Sequence, residues 1–260
     1  MTAADWQRAC AVTLDYEGGN DNDPHDPGGR TSRGITQREW TAYRAAHANK
    51  GLPADVWRAP QADIVTIYRA GYWDRCDGDA WPVGADLCVY DASVNSGLGK
   101  GLTWARAALA LRQGTFRQLA LIASSQDPVT LIRRYQARRL SFLHALRTWA
   151  YFGRGWARRV AGIEAIATRW ALAARGAPTK PELQRHAAEA KQTRNGAAGA
   201  AGGAAAPIAT HITLSAPHTW ADWAIIAGGV LATAAIVAYL VHLWYVHTMR
   251  AQAFTREAAK

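Results

Sequence analysis

Apolar positions recur at helical spacing through most of the first 175 residues, and polar, turn-forming residues fill the breaks. Trp6, Ala9, Cys10, Thr13 and Leu14 share one side of a helix predicted over residues 3–16. Gly18 and Gly19 close it, since one of them can take the left-handed backbone favoured at a helix C-terminus. The pattern then lapses, and Pro27-Gly28-Gly29 supplies a turn between short segments able to pair as one small hairpin. Thr36 with Glu39 forms a capping box that opens a helix to about residue 49, closed by Gly51-Leu52-Pro53. A helix over residues 61–73 turns Ile64, Ile67, Tyr68 and Tyr72 inward, and residues 83–95 are apolar enough to form a central helix. Helical patterns continue at about 100–112, 115–124, 128–150 and 155–174. Asp127-Pro128 opens the third of these as N-cap and first turn. The expected fold is mainly α: a lysozyme-like helical domain with one small β-hairpin, a flexible linker and a single C-terminal transmembrane helix.

The linker and the span follow from a change in composition. Residues 177–219 carry Pro178, Pro181, a mixed-charge run and then a Gly/Ala-rich stretch with little to bury, which reads as a tether. Trp223 opens 24 residues without Asp, Glu, Lys or Arg, ending at Val246. At about 1.5 Å per residue this makes about 36 Å of helix, enough for a hydrocarbon core of roughly 30 Å. Trp220 and Trp223 at one end, with Trp244 and Tyr245 at the other, suit the two interfaces, so membrane lipid is a partner. Arg250, Arg256 and Lys260 follow the span while Asp222 precedes it, a weak bias towards a cytoplasmic C-terminus. A retained, tail-anchored form is the alternative topology, and no signal peptide is apparent at Met1. The organisation expected is a catalytic lobe at 1–110, a basic helical lobe at 111–176, the linker at 177–219, the transmembrane helix at 220–247 and a basic tail at 248–260.

The net charge of +10 is unevenly spread. Residues 1–111 are nearly balanced, whereas residues 112–175 hold twelve arginines against Asp127 and Glu164 alone. Such a face is either simply solvated or takes a polyanion. Three cysteines (Cys10, Cys76, Cys88) without CxxC spacing indicate neither a disulfide framework nor a zinc site, and point to a reducing compartment.

The chemistry concentrates in residues 15–37. Glu17 stands where the first helix meets a loop dense in Asp, Pro and Gly, with Trp6 and Tyr16 as apolar neighbours. Such surroundings, with the negative end of the helix dipole, favour the protonated carboxyl that a general acid needs. Glu17-Gly18-Gly19, Asp26-Pro27-Gly28-Gly29, Thr31 and Gly34-Ile35-Thr36 at this spacing resemble the opening signature of glycoside hydrolase family 108, the peptidoglycan muramidases of phages and bacteria. Ile67 to Trp73, Tyr90 to Gly97 and Phe152 to Val160 are similar to later blocks of that family, in the same order.

The resemblance implies a phage endolysin that cuts the N-acetylmuramic acid to N-acetylglucosamine bond, with Glu17 as acid, and the uncharged stretch at 223–246 would tether it to the host inner membrane. Asp26 and Thr31 resemble the second half of that chemistry, although Asp26 alone also suits an Asx turn, and Ser32 competes with Thr31. Gly28 and Gly29 let backbone approach the sugar or simply turn. Tyr72 and Trp73 stack sugars or fill the core; Asp91 and Asn95 line the cleft or satisfy buried backbone. Peptidoglycan is the expected partner, an anionic envelope polymer a candidate one, and neither cofactor, metal nor nucleic acid is implied. A lytic transglycosylase, a wall-binding or secretion-assisting membrane protein and a membrane-permeabilising protein remain as alternatives.

Overall fold

The computed structural model describes residues 3–22, 30–211 and 220–260. The expected turn at Pro27-Gly28-Gly29 lies outside them. The chain divides into two compact units, Met1–Phe142 and Leu143–Lys260.

In the first unit α1 spans Ala3–Glu17 and leads through Gly18, with φ of +76°, into a three-stranded antiparallel sheet. Its strands are β1 (Asn20–Asp21), β2 (Thr31–Ser32) and β3 (Ile35–Thr36). The turn joining β2 to β3 is Arg33-Gly34, both with positive φ, the type I′ geometry whose twist matches a hairpin. Thr36 and Glu39 form both arms of the predicted capping box, opening α2 (Gln37–Ala46). A 3-10 turn at Ala48–Lys50 then ends at Gly51 in the left-handed region.

Helix α3 (Gln61–Tyr68) widens into a π turn over Arg69–Trp73, where an unbroken α-helix was expected. The wider turn carries Trp73 into the core, where Trp6, Trp73 and Tyr90 meet with ring centroids 5.3 to 5.5 Å apart. Helix α4 (Ala85–Ser96) is central, as its uniform apolarity predicted: every residue from Ala85 to Ser93 is buried. Around it come α5 (Leu98–Ala108), α6 (Phe116–Ala123) and α7 (Pro128–His144), the last N-capped by Asp127, whose Oδ2 accepts from Thr130 N–H at 2.8 Å.

Leu131, Ile132, Tyr135 and Arg139 of α7 are buried in this unit, and Tyr135 donates to the carbonyl of Gly101 at 3.1 Å. The boundary expected at residue 110 is therefore not where the chain divides. Helices α5 to α7 complete the core around α4 instead of starting a separate lobe.

The second unit holds α8 (Trp149–Ala174), α9 (Thr179–His211) and α10 (Trp220–Ala258). The stretch read as a flexible tether is thus helical over most of its length. Alanine is the best intrinsic helix former, and α9 has a partner to pack on: Leu183, Ala187, Ala190 and Ala197 are buried, and the His186 ring stacks on Phe254 of α10 at 5.2 Å. Among the described residues one helical segment, Ala227–Ala258, is long and apolar enough to cross a membrane.

Candidate active site

Glu17 is the last residue of α1 and is half-buried. The sheet folds back beneath it. Arg33 N–H donates to the carbonyl of Gly19 at 3.0 Å, tying the hairpin turn to the helix end. A Cβ added to Gly34 would lie 3.1 Å from Glu17 Oε2 and 2.8 Å from the Tyr68 hydroxyl oxygen. Glycine is needed at that position twice over, for its φ of +77° and for the close approach of the carboxyl.

Tyr68, at the end of α3, donates its hydroxyl to the carbonyl of Arg33 at 2.6 Å and so pins the turn from the other side. One helical turn further, the Tyr72 ring lies 5.7 Å from that of Tyr68. Burial raises the Tyr72 hydroxyl above its ordinary pKa, and the negative charges of Glu39 and Glu17 raise it further. It therefore stays a neutral hydroxyl.

Strand register separates Thr31 from Ser32. Ser32 pairs with Ile35, and both are buried at 3% and 4% exposure. Thr31 pairs with Asp21 and Thr36 on the opposite face and is half-buried. Its carbonyl accepts from Trp57 Nε1 at 2.8 Å, and the Arg30 guanidinium lies 3.7 Å over the Trp57 ring. Asp26, Gly28 and Gly29 lie outside the described residues.

Three candidates are placed elsewhere. Trp73 is fully buried and donates its indole N–H to Asp79 at 3.0 Å, so it is core and not a stacking platform. Asp91 is fully buried and holds Arg139 Nη1 at 2.6 Å, while Arg139 Nη2 donates to Asn95 Oδ1 at 2.9 Å. That network braces α4 against α7, with Asn95 at its half-buried end. Among the described residues no group of three or more His, Cys, Asp or Glu is arranged to hold a metal.

Sequence reasoning missed Tyr68 as a site residue. Its spacing of four from Tyr72 was the available signal, but the same spacing also describes an ordinary core stripe. Nothing in the sequence singled out Trp57 or Arg30.

A carboxyl at a helix end, set over the tight turn of a small antiparallel sheet in a helical domain, is the arrangement of a lysozyme-like glycoside hydrolase. The comparisons agree. Residues 10–97, which contain Glu17, the sheet, Tyr68 and Tyr72, match the family model described as Glycosyl hydrolase 108, and over these residues the chain is similar to that family. A solved structure of Brucella abortus SagA is 26% identical with a TM-score of 0.54, over 65% of this chain and 97% of that one. No curated protein matches the chain at a significant level.

Proposed function

We propose that the chain is a peptidoglycan muramidase of the endolysin kind, hydrolysing the N-acetylmuramic acid to N-acetylglucosamine bond with Glu17 as general acid. The observation that carries this reading is the Glu17 carboxyl lying directly over the Arg33-Gly34 turn. The match to the glycosyl hydrolase 108 model supports it.

In this reaction the protonated Glu17 gives its hydrogen to the glycosidic oxygen as the bond from that oxygen to the anomeric carbon breaks. A water oxygen bonds to the oxocarbenium-like carbon, and its proton passes to Asp26 as base, with Thr31 holding the water. The half-buried outer face of Thr31 supports it over Ser32 for that role. Tyr72, kept neutral, donates to a sugar or to the carboxyl between turnovers. The arginines of residues 112–175 suit a wall polymer bearing carboxylates and phosphates, and residues 223–246 suit lipid.

The test is Glu17→Gln against purified cell wall. The variant should melt within a few degrees of the parent and release reducing sugar ends at least about a thousandfold more slowly, with general acid catalysis and electrostatics together removed. Near-parental release overturns the assignment. Products carrying reducing ends mark a hydrolase, and 1,6-anhydro ends would mark a transglycosylase instead.

A further inference from the structure

Helices α8, α9 and α10 of the second unit fit one another in a way that bears on how the chain meets a membrane. Residues 223–246 of α10 carry no charge, and Leu231, Ile236, Tyr239 and Val241 are 51% to 71% exposed. Beyond Val246 the same helix changes character. Val246, Ala251, Phe254 and Ala258 are buried. Arg250 makes a two-pronged ion pair with Glu164 of α8, at 2.6 and 3.0 Å, and Glu257 accepts from Arg169 at 2.7 Å. Glu164 and Glu257 are 4% and 6% exposed. The C-terminal end of α10 is thus clamped to α8.

This clamp conflicts with a single crossing. If α10 alone spanned the bilayer with α8 on the far side, both buried carboxylates would lose their arginines. Nor can α8 follow, because it is studded with charge from Arg154 to Arg169. If the ends stay together, α9 must enter with α10.

The sequence of α9 permits it. His186 stacks on Phe254 and only eight residues join the end of α9 to the start of α10, too few to span a parallel arrangement, so α9 runs antiparallel to α10. Eight residues on from His186 is Arg194, the last charge in α9; four back from Phe254 is Arg250, which closes the uncharged run of α10 that ends at Met249. Both arms therefore turn charge-free within about two and a half helical turns of that contact. Residues 195–221 hold no Asp, Glu, Lys or Arg at all, and the helical part is mostly Ala and Gly. That arm is too weakly apolar to insert alone, but a helix satisfies its own backbone in lipid, and small residues let it lie close against a stronger neighbour. Near the C-terminal end of the uncharged run Trp149 of α8 lies 5.3 Å from His242, and Tyr151 and Phe152 beside it are 83% and 57% exposed, as aromatics at a headgroup boundary are.

We propose that α9 and α10 enter the bilayer as a two-helix hairpin, with residues 1–194 and Lys260 on one face and the helix ends at His211 and Trp220 towards the other. This rests on reading residues 223–246 as a bilayer-crossing stretch. Lys180, Arg185, Lys191, Arg194, Arg250 and Lys260 sit at the open end, whereas 212–219 has no Lys or Arg. The positive-inside rule accordingly puts the hydrolase domain in the cytoplasm. The enzyme is then held away from the wall until the membrane is breached.

The experiment uses the full chain in a bacterial host, with Lys180→Cys, Ser215→Cys and Lys260→Cys made singly; the native Cys10, Cys76 and Cys88 are all buried. A membrane-impermeant maleimide is added to spheroplasts before and after permeabilisation. Ser215→Cys should label in intact spheroplasts at least tenfold faster than the other two, which should label only after permeabilisation. Labelling of Lys180→Cys and Lys260→Cys from opposite faces would overturn the hairpin in favour of a single crossing. Equal accessibility of all three, or recovery of the chain in the carbonate-soluble fraction, would overturn insertion itself. None of these readouts depends on hydrolysis, so failure of the Glu17 test leaves them intact.

Discussion

Gly34 carries the tightest constraint in the site. Its φ of +77° penalises any side chain, and an added methyl would press on both the Glu17 carboxyl and the Tyr68 hydroxyl. Gly34→Ala should therefore lower stability by about 1–2 kcal/mol from backbone strain alone. Wall hydrolysis should fall further than that loss explains, because the acid is displaced; thermal melting and reducing-end release on the same sample check this. Asp86, which the site does not use, governs a different property. Burial lifts its carboxyl to about 7, even though its Oδ1 accepts from Leu87 and Gly84 N–H groups at 2.7 Å. Unfolded Asp titrates near 4, so between about pH 4 and 7 the folded chain keeps a proton the unfolded chain has released. The stability tied to that proton is fully present below about pH 4 and is lost as pH rises through 7, by up to about 1.4 kcal/mol per pH unit. Asp86→Asn keeps an acceptor for both N–H groups and removes the titration. Its melting temperature should gain on the parent's between pH 5 and pH 8, and a parallel course of the two curves would contradict the assignment.

At the scale of elements, the π turn that ends α3 separates two neighbouring aromatics. Trp73 goes to the core with Trp6 and Tyr90, and Tyr72 stays half-buried beside Tyr68. Trp73→Ala should cost about 3–5 kcal/mol, as large core truncations do. Tyr72→Phe should change stability by under about 1 kcal/mol yet slow hydrolysis several-fold, read as kcat with the melting curve as control. Sequence periodicity could not make this division, because it assumes 3.6 residues per turn and the wide turn breaks that count. Where a local rule suffices, the elements were legible: the Thr36–Glu39 box, the Asp127 cap, the Gly18 terminus and the all-buried α4 form as their residues dictate. The hairpin turn was not, since Arg33 is a poor residue for positive φ and is held there by Tyr68 and Gly19, both distant in the chain or outside the strand pair. Helix α9 was misread for a similar reason. An Ala/Gly run has no preference strong enough to announce a helix until a partner such as α10 is in place. Changing Leu183, which is 1% exposed, to Asp should remove that support and lower the far-ultraviolet helix signal of the full chain.

For the whole molecule, the decisive long-range tie is Arg139 to Asp91, 48 residues apart, each fully buried. A chain cut at residue 110, where composition suggested a boundary, keeps Asp91 but loses Arg139. Removing one partner of a buried pair typically costs about 3–5 kcal/mol. It would also strip Leu119, Ala120, Leu131 and Ile132, all buried, from the core. That sum approaches the entire stability of an ordinary domain, so residues 1–110 should fail to fold although they hold every candidate catalytic residue. Residues 1–147 keep the network and the core of the first unit, and should fold and release reducing ends from purified wall at a rate within about tenfold of the full chain. If residues 1–110 melt cooperatively and hydrolyse wall, the Arg139 brace is dispensable. If residues 1–147 are folded but inactive, the second unit contributes to the site itself. The candidate catalytic residues are legible in the first hundred residues, but the charge that stabilises their unit enters from α7, and a buried arginine in an arginine-rich stretch looks no different from its solvated neighbours until the fold is known.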